Sequence, residues 1–193
     1  LGIRFGGNQA VQGVTGSITP GIITAIIGPN GAGKSTFFNL ISGFYKPTSG
    51  TITFGGQDIT RLPAHIRARL GLGRTFQMAR IFPDFSVIEN VGVVIEARLR
   101  ATGTLWPSLR RIPAPEITTE CEALLADVGL IEQRFAHADA LSHGDKKRLE
   151  FAIALALRPS ILLLDEPTAG MSLADRAGIV ALIARIRREH GVT

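Results

Sequence analysis

Apolar positions in this chain follow more than one period, and the changes of period divide it into a core and an insertion. Ile22-Ile23-Thr24-Ala25-Ile26-Ile27 and Ile161-Leu162-Leu163-Leu164 are short continuous apolar runs. Such runs read as strands buried on both faces of a parallel sheet. Phe37–Ser42 reads as a helix stopped by Gly43 just after its last turn. Thr51–Phe54 alternates like a half-exposed strand and runs into Gly55-Gly56, which predicts a small antiparallel sheet beside the parallel core. Pro63 suits the first position of a short helix closed by Gly71, and Leu72–Phe76 reads as a strand leading to Gln77.

The helical period takes over after Ser86. Ser86-Val87-Ile88-Glu89 is a capping-box pattern that predicts a helix through about Leu99. Residues 102–115, with Gly103, Pro107, Pro113 and Pro115, read as a loop in which Trp106 packs locally. A second helix over Glu116–Val128 closes at Gly129. Ser142 opens a third, with Leu149, Ile153, Ala156 and Leu157 as its apolar face and Pro159 beyond its end. A helical block therefore interrupts an α/β core, with no internal repeats and no low-complexity segments.

Composition adds little to this division but removes several classes. At 193 residues the chain is one domain by length, and 45% apolar with 19% charged residues is ordinary for a globular protein. The longest apolar runs fall far short of the ~20 residues that span a bilayer. No basic-then-apolar leader opens the chain, so no signal peptide is expected. A single cysteine, Cys121, excludes an internal disulfide framework and fits a reducing, cytoplasmic compartment. The net charge of +5 comes from scattered basic residues without aromatic interleaving. That predicts a solvated surface and no nucleic-acid partner, with attraction to nucleotide and to an anionic membrane face as lesser effects. The start at Leu1 and the pattern still running at Thr193 read as a chain cut at both ends.

Three segments carry chemistry. Gly28-Pro29-Asn30-Gly31-Ala32-Gly33-Lys34-Ser35-Thr36 fits G-x-x-x-x-G-K-[ST] between an expected strand and an expected helix. Its glycines let backbone N–H groups turn onto phosphates, and the helix N-terminus adds partial positive charge. Lys34 is expected to reach the β- and γ-phosphates and Ser35 to ligate Mg²⁺. Asp165-Glu166 ends the second apolar run, and ligands bind at the carboxyl ends of strands in open α/β sheets. There Asp165 is placed to hold Mg²⁺ and Glu166 to polarise an attacking water. The bland alternatives are a glycine turn and a solvated acid pair. Leu141-Ser142-His143-Gly144-Asp145 reads by itself as an ordinary helix cap.

The ordered set, a phosphate loop, then Gln77, then Leu-Ser-His-Gly-Asp, then an apolar run closed by Asp-Glu-Pro, resembles the ATP-binding cassette ATPases over essentially the whole chain. The resemblance implies a RecA-like P-loop core with a small antiparallel β subdomain (1–85 and 158–193) and an inserted α-helical subdomain (86–157). It implies ATP and Mg²⁺ as cofactors, with Gly28, Asn30, Gly31, Gly33, Lys34, Ser35 and Thr36 around the phosphates. Lys34 and Glu166 would be catalytic, Ser35 and Asp165 metal ligands. Gln77 would serve both metal and catalysis, sensing the γ-phosphate and coupling to the membrane domain. Ser142 and Gly144 would face ATP held by a second protomer in a head-to-tail dimer. Phe5 resembles the aromatic residue that stacks on adenine, its alternative being a buried strand aromatic.

Leu-Ile-Ser-Gly-Phe, Gly-Arg-Thr-Phe-Gln and Asp-Glu-Pro-Thr-Ala-Gly-Met resemble the ATPases of branched-chain amino acid importers, with urea and amide importers sharing much of the vocabulary. The implied partners are a second ATPase subunit, transmembrane permease subunits and, indirectly, an extracytoplasmic solute-binding protein. The implied place is the cytoplasmic face of the inner membrane, peripherally. His143 and Asp145 depart from the usual glycine and glutamine, and Ser172 stands where many members carry aspartate. The family's switch histidine is expected beyond Thr193, and His190 reads instead as a helix-end partner of the dipole. Cassette ATPases of DNA or ribosomes, a lipopolysaccharide exporter ATPase and a binding-only module are the competing readings.

Overall fold

A strand exists only where its backbone N–H and C=O groups find partners. In the computed structural model, which describes residues 1–75, 81–103 and 115–193, that condition is met in three separate pairings. β1 (Ile3–Phe5) and β2 (Asn8–Val11) form an antiparallel hairpin, with Ile3 opposite Val11. β3 (Thr53–Phe54) and β4 (Gln57–Asp58) form a second across Gly55-Gly56, where the expected small antiparallel sheet lies. β5 (Leu72–Arg74) and β6 (Ile161–Leu163) are parallel, with Leu72 opposite Ile161, and they bring two distant segments side by side.

Residues 22–27 are not the buried strand that their apolarity predicts. They carry no ladder hydrogen bonds, and Ile22 is 53% and Ile27 91% exposed. The free edge of β6 is met instead by Thr193, whose N–H donates to the Ser160 carbonyl (3.0 Å) and whose carbonyl accepts from Leu162 (2.8 Å). Gly21 N–H donates to Thr193 Oγ1 (2.8 Å). Past that point Ile22–Ile26 and Ile161–Leu164 face each other across an apolar cavity of about 400 Å³ that Ile186 and Val192 also line. β-Branched side chains make a segment fit for a sheet, but without a backbone partner in reach no ladder forms.

Helices supply the main core. α1 (Lys34–Ser42) follows the glycine loop and α2 (Ala64–Arg69) follows Pro63. α3 (Val87–Ala101) opens on a complete capping box: Ser86 Oγ accepts from Glu89 N–H (3.4 Å) and Glu89 Oε2 accepts from Ser86 N–H (2.7 Å). α4 (Pro115–Val128) ends at Gly129, whose φ of 75° is the left-handed conformation of a helix stop. α5 (His143–Ala156) packs against both α3 and α4, and α6 (Leu173–His190) adds Ile179, Leu182 and Ile186 to the same core. α5 departs from its expected single apolar face. Phe151, Ala152, Ala154 and Leu155 are buried along with Leu149 and Ala156, so the helix is enclosed nearly all round. Its Lys147 and Glu150 pair at 2.7 Å inside that enclosure, as buried charges must. Trp106 and most of the expected 102–115 loop, with Phe76 and Gln77, fall outside the described residues.

α3 and α4 are clasped by charge as well as by core. Arg98 grips Glu120 with two bonds (3.0 and 2.8 Å), and Arg158 adds two more from Nε (3.2 Å) and Nη2 (3.1 Å). Burial works to raise the Glu120 pKa, but the two guanidinium groups together hold the carboxyl below its ordinary value. A depressed carboxyl stabilises the fold above its unfolded pKa and loses that contribution as pH falls through the folded one. Glu120→Gln is therefore expected to lower the melting temperature at pH 7, with the gap to wild type closing as the pH drops below about 4.5. A gap that stays constant across that range contradicts the ion-pair account. Cys121 beside it is fully buried, and burial pushes its thiol up to about 12. The native protein should resist iodoacetamide at pH 8 and react once denatured; rapid native alkylation would show that the α3–α4 core opens.

Candidate functional site

Helix α1 begins with nothing covering its first turn. No side chain caps it, and no acidic residue lies in that turn. The first N–H groups of a helix have no intrahelical acceptor, so an uncapped start is a ready site for an anion. Gly33, at the cap position, has φ 84°, and a Cβ there would run into the carbonyl oxygen of Ala10. Only glycine lets the loop lie this close to β2 in that conformation. Lys34 Nζ folds back to donate to the carbonyls of Gly28 (2.7 Å) and Pro29 (2.9 Å). Its ammonium is thus held over the loop that a phosphate would enter.

A polar cavity of about 310 Å³ opens above this helix end. Asn30, Gly31, Gly33, Lys34, Ser35 and Thr36 form its floor, Asn8–Ala10 of β2 one wall, and Glu166 reaches it from the end of β6. Lys34 and Glu166 also line the mouth of the apolar cavity, together with Asp165. Two segments more than a hundred positions apart therefore converge on one volume. Gly28 contributes its carbonyl to Lys34 rather than lining that volume.

The acidic pair divides into one buried and one exposed carboxylate. Asp165 is 8% exposed, with Oδ2 at 3.4 Å from Arg74 Nη2. Glu166 is exposed and has φ 47°, left-handed for a residue with a Cβ. Such a conformation costs on the order of 1–3 kcal/mol and gathers at functional positions. It turns the chain so that adjacent acids face different surroundings. Among the described residues no group of three or more His, Cys, Asp or Glu side chains is arranged to hold a metal alone. A hydroxyl from Ser35 and one carboxylate from Asp165 are hard oxygen donors, the set that suits Mg²⁺ when phosphate oxygens complete the shell.

The other expected residues lie elsewhere. Ser142 caps α5, accepting from Asp145 N–H (3.1 Å) and donating to Asp145 Oδ2 (2.8 Å). Neither Ser142 nor Gly144 lines the polar cavity; a Cβ on Gly144 would lie 3.7 Å from Asp175 Oδ1. Phe5 is not the buried aromatic of its alternative reading. It is 46% exposed and meets Tyr45 edge-on, with ring centroids 5.2 Å apart. Ser172 caps α6 by accepting from Asp175 N–H (3.2 Å). His190 ends α6 and pairs with Asp127 Oδ2 at 2.9 Å. Gln77 lies outside the described residues. Sequence reasoning missed the β2 wall. The Gly6-Gly7 pair marks a hairpin, but nothing local says that the hairpin faces the glycine loop.

Comparison with known proteins agrees with this geometry. The family described as "ABC transporter" matches residues 11–169. The high-affinity branched-chain amino acid transport ATP-binding protein LivG of Escherichia coli (strain K12) is 42% identical over 197 residues, covering 100% of this chain and 77% of LivG. The corresponding protein BraF of Pseudomonas aeruginosa is 42% identical over 199 residues, with the same coverage. In the solved structures, the ADP conformation of MJ1267, an ATP-binding cassette of an ABC transporter, superposes with a TM-score of 0.84 at 29% identity. It is covered over 76% of its length by 100% of this chain. CbiO1 from Clostridium perfringens, part of the ABC transporter complex cbiONQ, gives 0.83 at 31% identity, with 100% and 73% covered. The glycine loop on α1, the acidic end of β6 and these likenesses together place the chain in the ABC transporter family, as one of its nucleotide-binding ATPase cassettes.

Proposed function

We propose that this cassette binds and hydrolyses ATP to drive an importer of branched-chain amino acids. The convergence of the uncapped α1 N-terminus, Lys34, Ser35 and Glu166 on one polar cavity supports the ATPase reading. The likeness to LivG and BraF over the full chain supports the solute class. Among the described residues no helix is long and apolar enough to cross a membrane, so passage of the solute would need permease subunits. A second ATPase subunit and a solute-binding protein complete the proposed assembly, docked at the cytoplasmic face of the membrane. Residues 86–157 are proposed as the helical subdomain, and 1–85 with 158–193 as the core.

In this reading the β- and γ-phosphates of ATP rest on the free N–H groups at the start of α1. Lys34 exchanges the Gly28 and Pro29 carbonyls for phosphate oxygens, whose full negative charge attracts the ammonium more strongly than a carbonyl dipole does. Ser35 and Asp165 would hold Mg²⁺, which would supply charge neutralisation of the phosphates. Glu166 accepts a proton from the attacking water, whose oxygen forms a bond to the γ-phosphorus as the bond to the β-bridging oxygen breaks. ADP and inorganic phosphate leave. The exposure of Glu166 and its left-handed backbone suit an acid that must meet water. Ser142 and Gly144 are proposed to face the γ-phosphate of a nucleotide on a second protomer, Gln77 to sense that phosphate and contact the metal, and Phe5 to meet adenine.

Glu166→Gln is expected to bind ATP as wild type does and to hydrolyse it more slowly by about 10²–10⁴-fold in a phosphate-release assay. Turnover at the wild-type rate would remove Glu166 from the base role. Lys34→Ala should weaken ATP binding, measured by titration of a fluorescent nucleotide. An unchanged affinity would mean that the phosphates do not sit on this loop.

A further inference from the structure

Arg74, the last residue of β5, touches both halves of the site. Its Nη1 donates to Asn39 Oδ1 (2.6 Å) and to Ser42 Oγ (2.8 Å), both on α1. Its Nη2 faces Asp165 Oδ2 (3.4 Å) at the end of β6, and its guanidinium carbon lies 5.6 Å from the centroid of the Phe44 ring. The two charged side chains are nearly enclosed, 9% exposed for Arg74 and 11% for Asp165. One planar, rigid group therefore connects α1, the helix that carries Ser35, to Asp165 at the end of β6.

We propose that Arg74 is a positioning residue that braces Asp165 against α1 and so sets the spacing of the two Mg²⁺ ligands, Ser35 and Asp165. This rests on the metal role proposed above for those two residues. Two effects oppose each other. A cation beside the site repels Mg²⁺ and competes for a carboxylate oxygen, whereas a brace removes the cost of orienting that carboxylate. The contact to Asp165 is longer than the ~2.7–2.9 Å of a strong charge-assisted bond, so competition is weak. The contacts to Asn39 and Ser42 are short, so the anchor is firm. Ser42 Oγ also donates to the Phe38 carbonyl (2.7 Å), which fixes the hydroxyl that receives Arg74. In this proposal, orienting the carboxylate outweighs the repulsion, so that losing Arg74 weakens metal binding instead of strengthening it. Lysine, a single ammonium without the fork, cannot span both elements.

The test is Mn²⁺ binding to the full chain with ATP present, read as free Mn²⁺ by electron paramagnetic resonance, with melting curves for every variant. Arg74→Gln should raise the Mn²⁺ concentration for half-saturation about tenfold, as loss of a group that orients a metal ligand does. Metal-free ATP affinity should stay unchanged, and kcat should recover at saturating metal. Arg74→Lys should fail to rescue. Asn39→Ala and Ser42→Ala, which leave Arg74 in place, should shift half-saturation in the same direction by less, and they decide the matter if Arg74→Gln does not fold. Asp165→Asn is the control. If it weakens Mn²⁺ binding while the Arg74, Asn39 and Ser42 variants bind as wild type or tighter, the brace is overturned. If Asp165→Asn itself changes nothing, the metal role of Asp165 falls.

Discussion

Everything at this site depends on leaving one end of helix α1 open while closing the other. The start is open because Gly33 brings the loop against β2 with no side chain to occupy the free N–H groups. The finish is closed twice. Gly43 takes the left-handed conformation and its N–H donates back into the last turn. Arg67, 1% exposed, then donates to the Leu40 carbonyl (2.7 Å), which the Gly43 N–H also reaches, and to the Ile41 carbonyl (2.6 Å). A cation belongs at the negative end of a helix dipole, and burial there lowers the Arg67 pKa without a carboxylate to offset it. The Leu62 and Thr60 carbonyls accept from its Nε and Nη2. The result is a short helix fixed at its C-terminus by a buried charge, with its N-terminus presented to an incoming anion.

The acidic half reaches the same point by a different route. β6 pairs with β5, and the ladder continues past the strand ends as Thr75 N–H donates to the Leu163 carbonyl (3.0 Å). That register places Arg74 level with Leu163, two residues before Asp165. One side chain on β5 can then reach both Asp165 and the inner face of α1. Sheet register, an arginine fork and an uncapped helix are three separate local features, and together they tie the carboxylate after β6 to the helix that follows the glycine loop. An apolar cavity of about 400 Å³ lies between Ile22–Ile26 on one side and β6 on the other.

Much of this was legible because it is local chemistry. The Ser86–Glu89 box, the Ser142 cap and the stops at Gly43 and Gly129 each depend on residues within one or two turns, and each stands where the pattern puts it. The glycine loop before α1 and the acid pair after β6 are local in the same way, and their phosphate and catalytic roles are proposals. What failed was non-local. The 22–27 segment has the composition of a buried strand, yet composition cannot supply the hydrogen-bonding neighbour that makes one. α5 looked one-sided because its periodicity is weak, and its enclosure by α3, α4 and β5 comes from tertiary packing. The wall at Asn8–Ala10 and the reach of Arg74 are likewise meetings of remote segments. The family resemblance, not the spacing, carried the roles of Gln77, Ser142 and Gly144.

The account stands most directly on where the phosphates lie. A crystal structure of the protein with a non-hydrolysable ATP analogue and Mg²⁺ would decide it. The prediction is that Lys34 Nζ leaves the Gly28 and Pro29 carbonyls for the β- and γ-phosphate oxygens. Backbone N–H groups at the start of α1 should then lie about 2.7–3.2 Å from those oxygens. An analogue bound away from α1, or a Lys34 still bonded to its own loop beneath a bound nucleotide, would contradict the account.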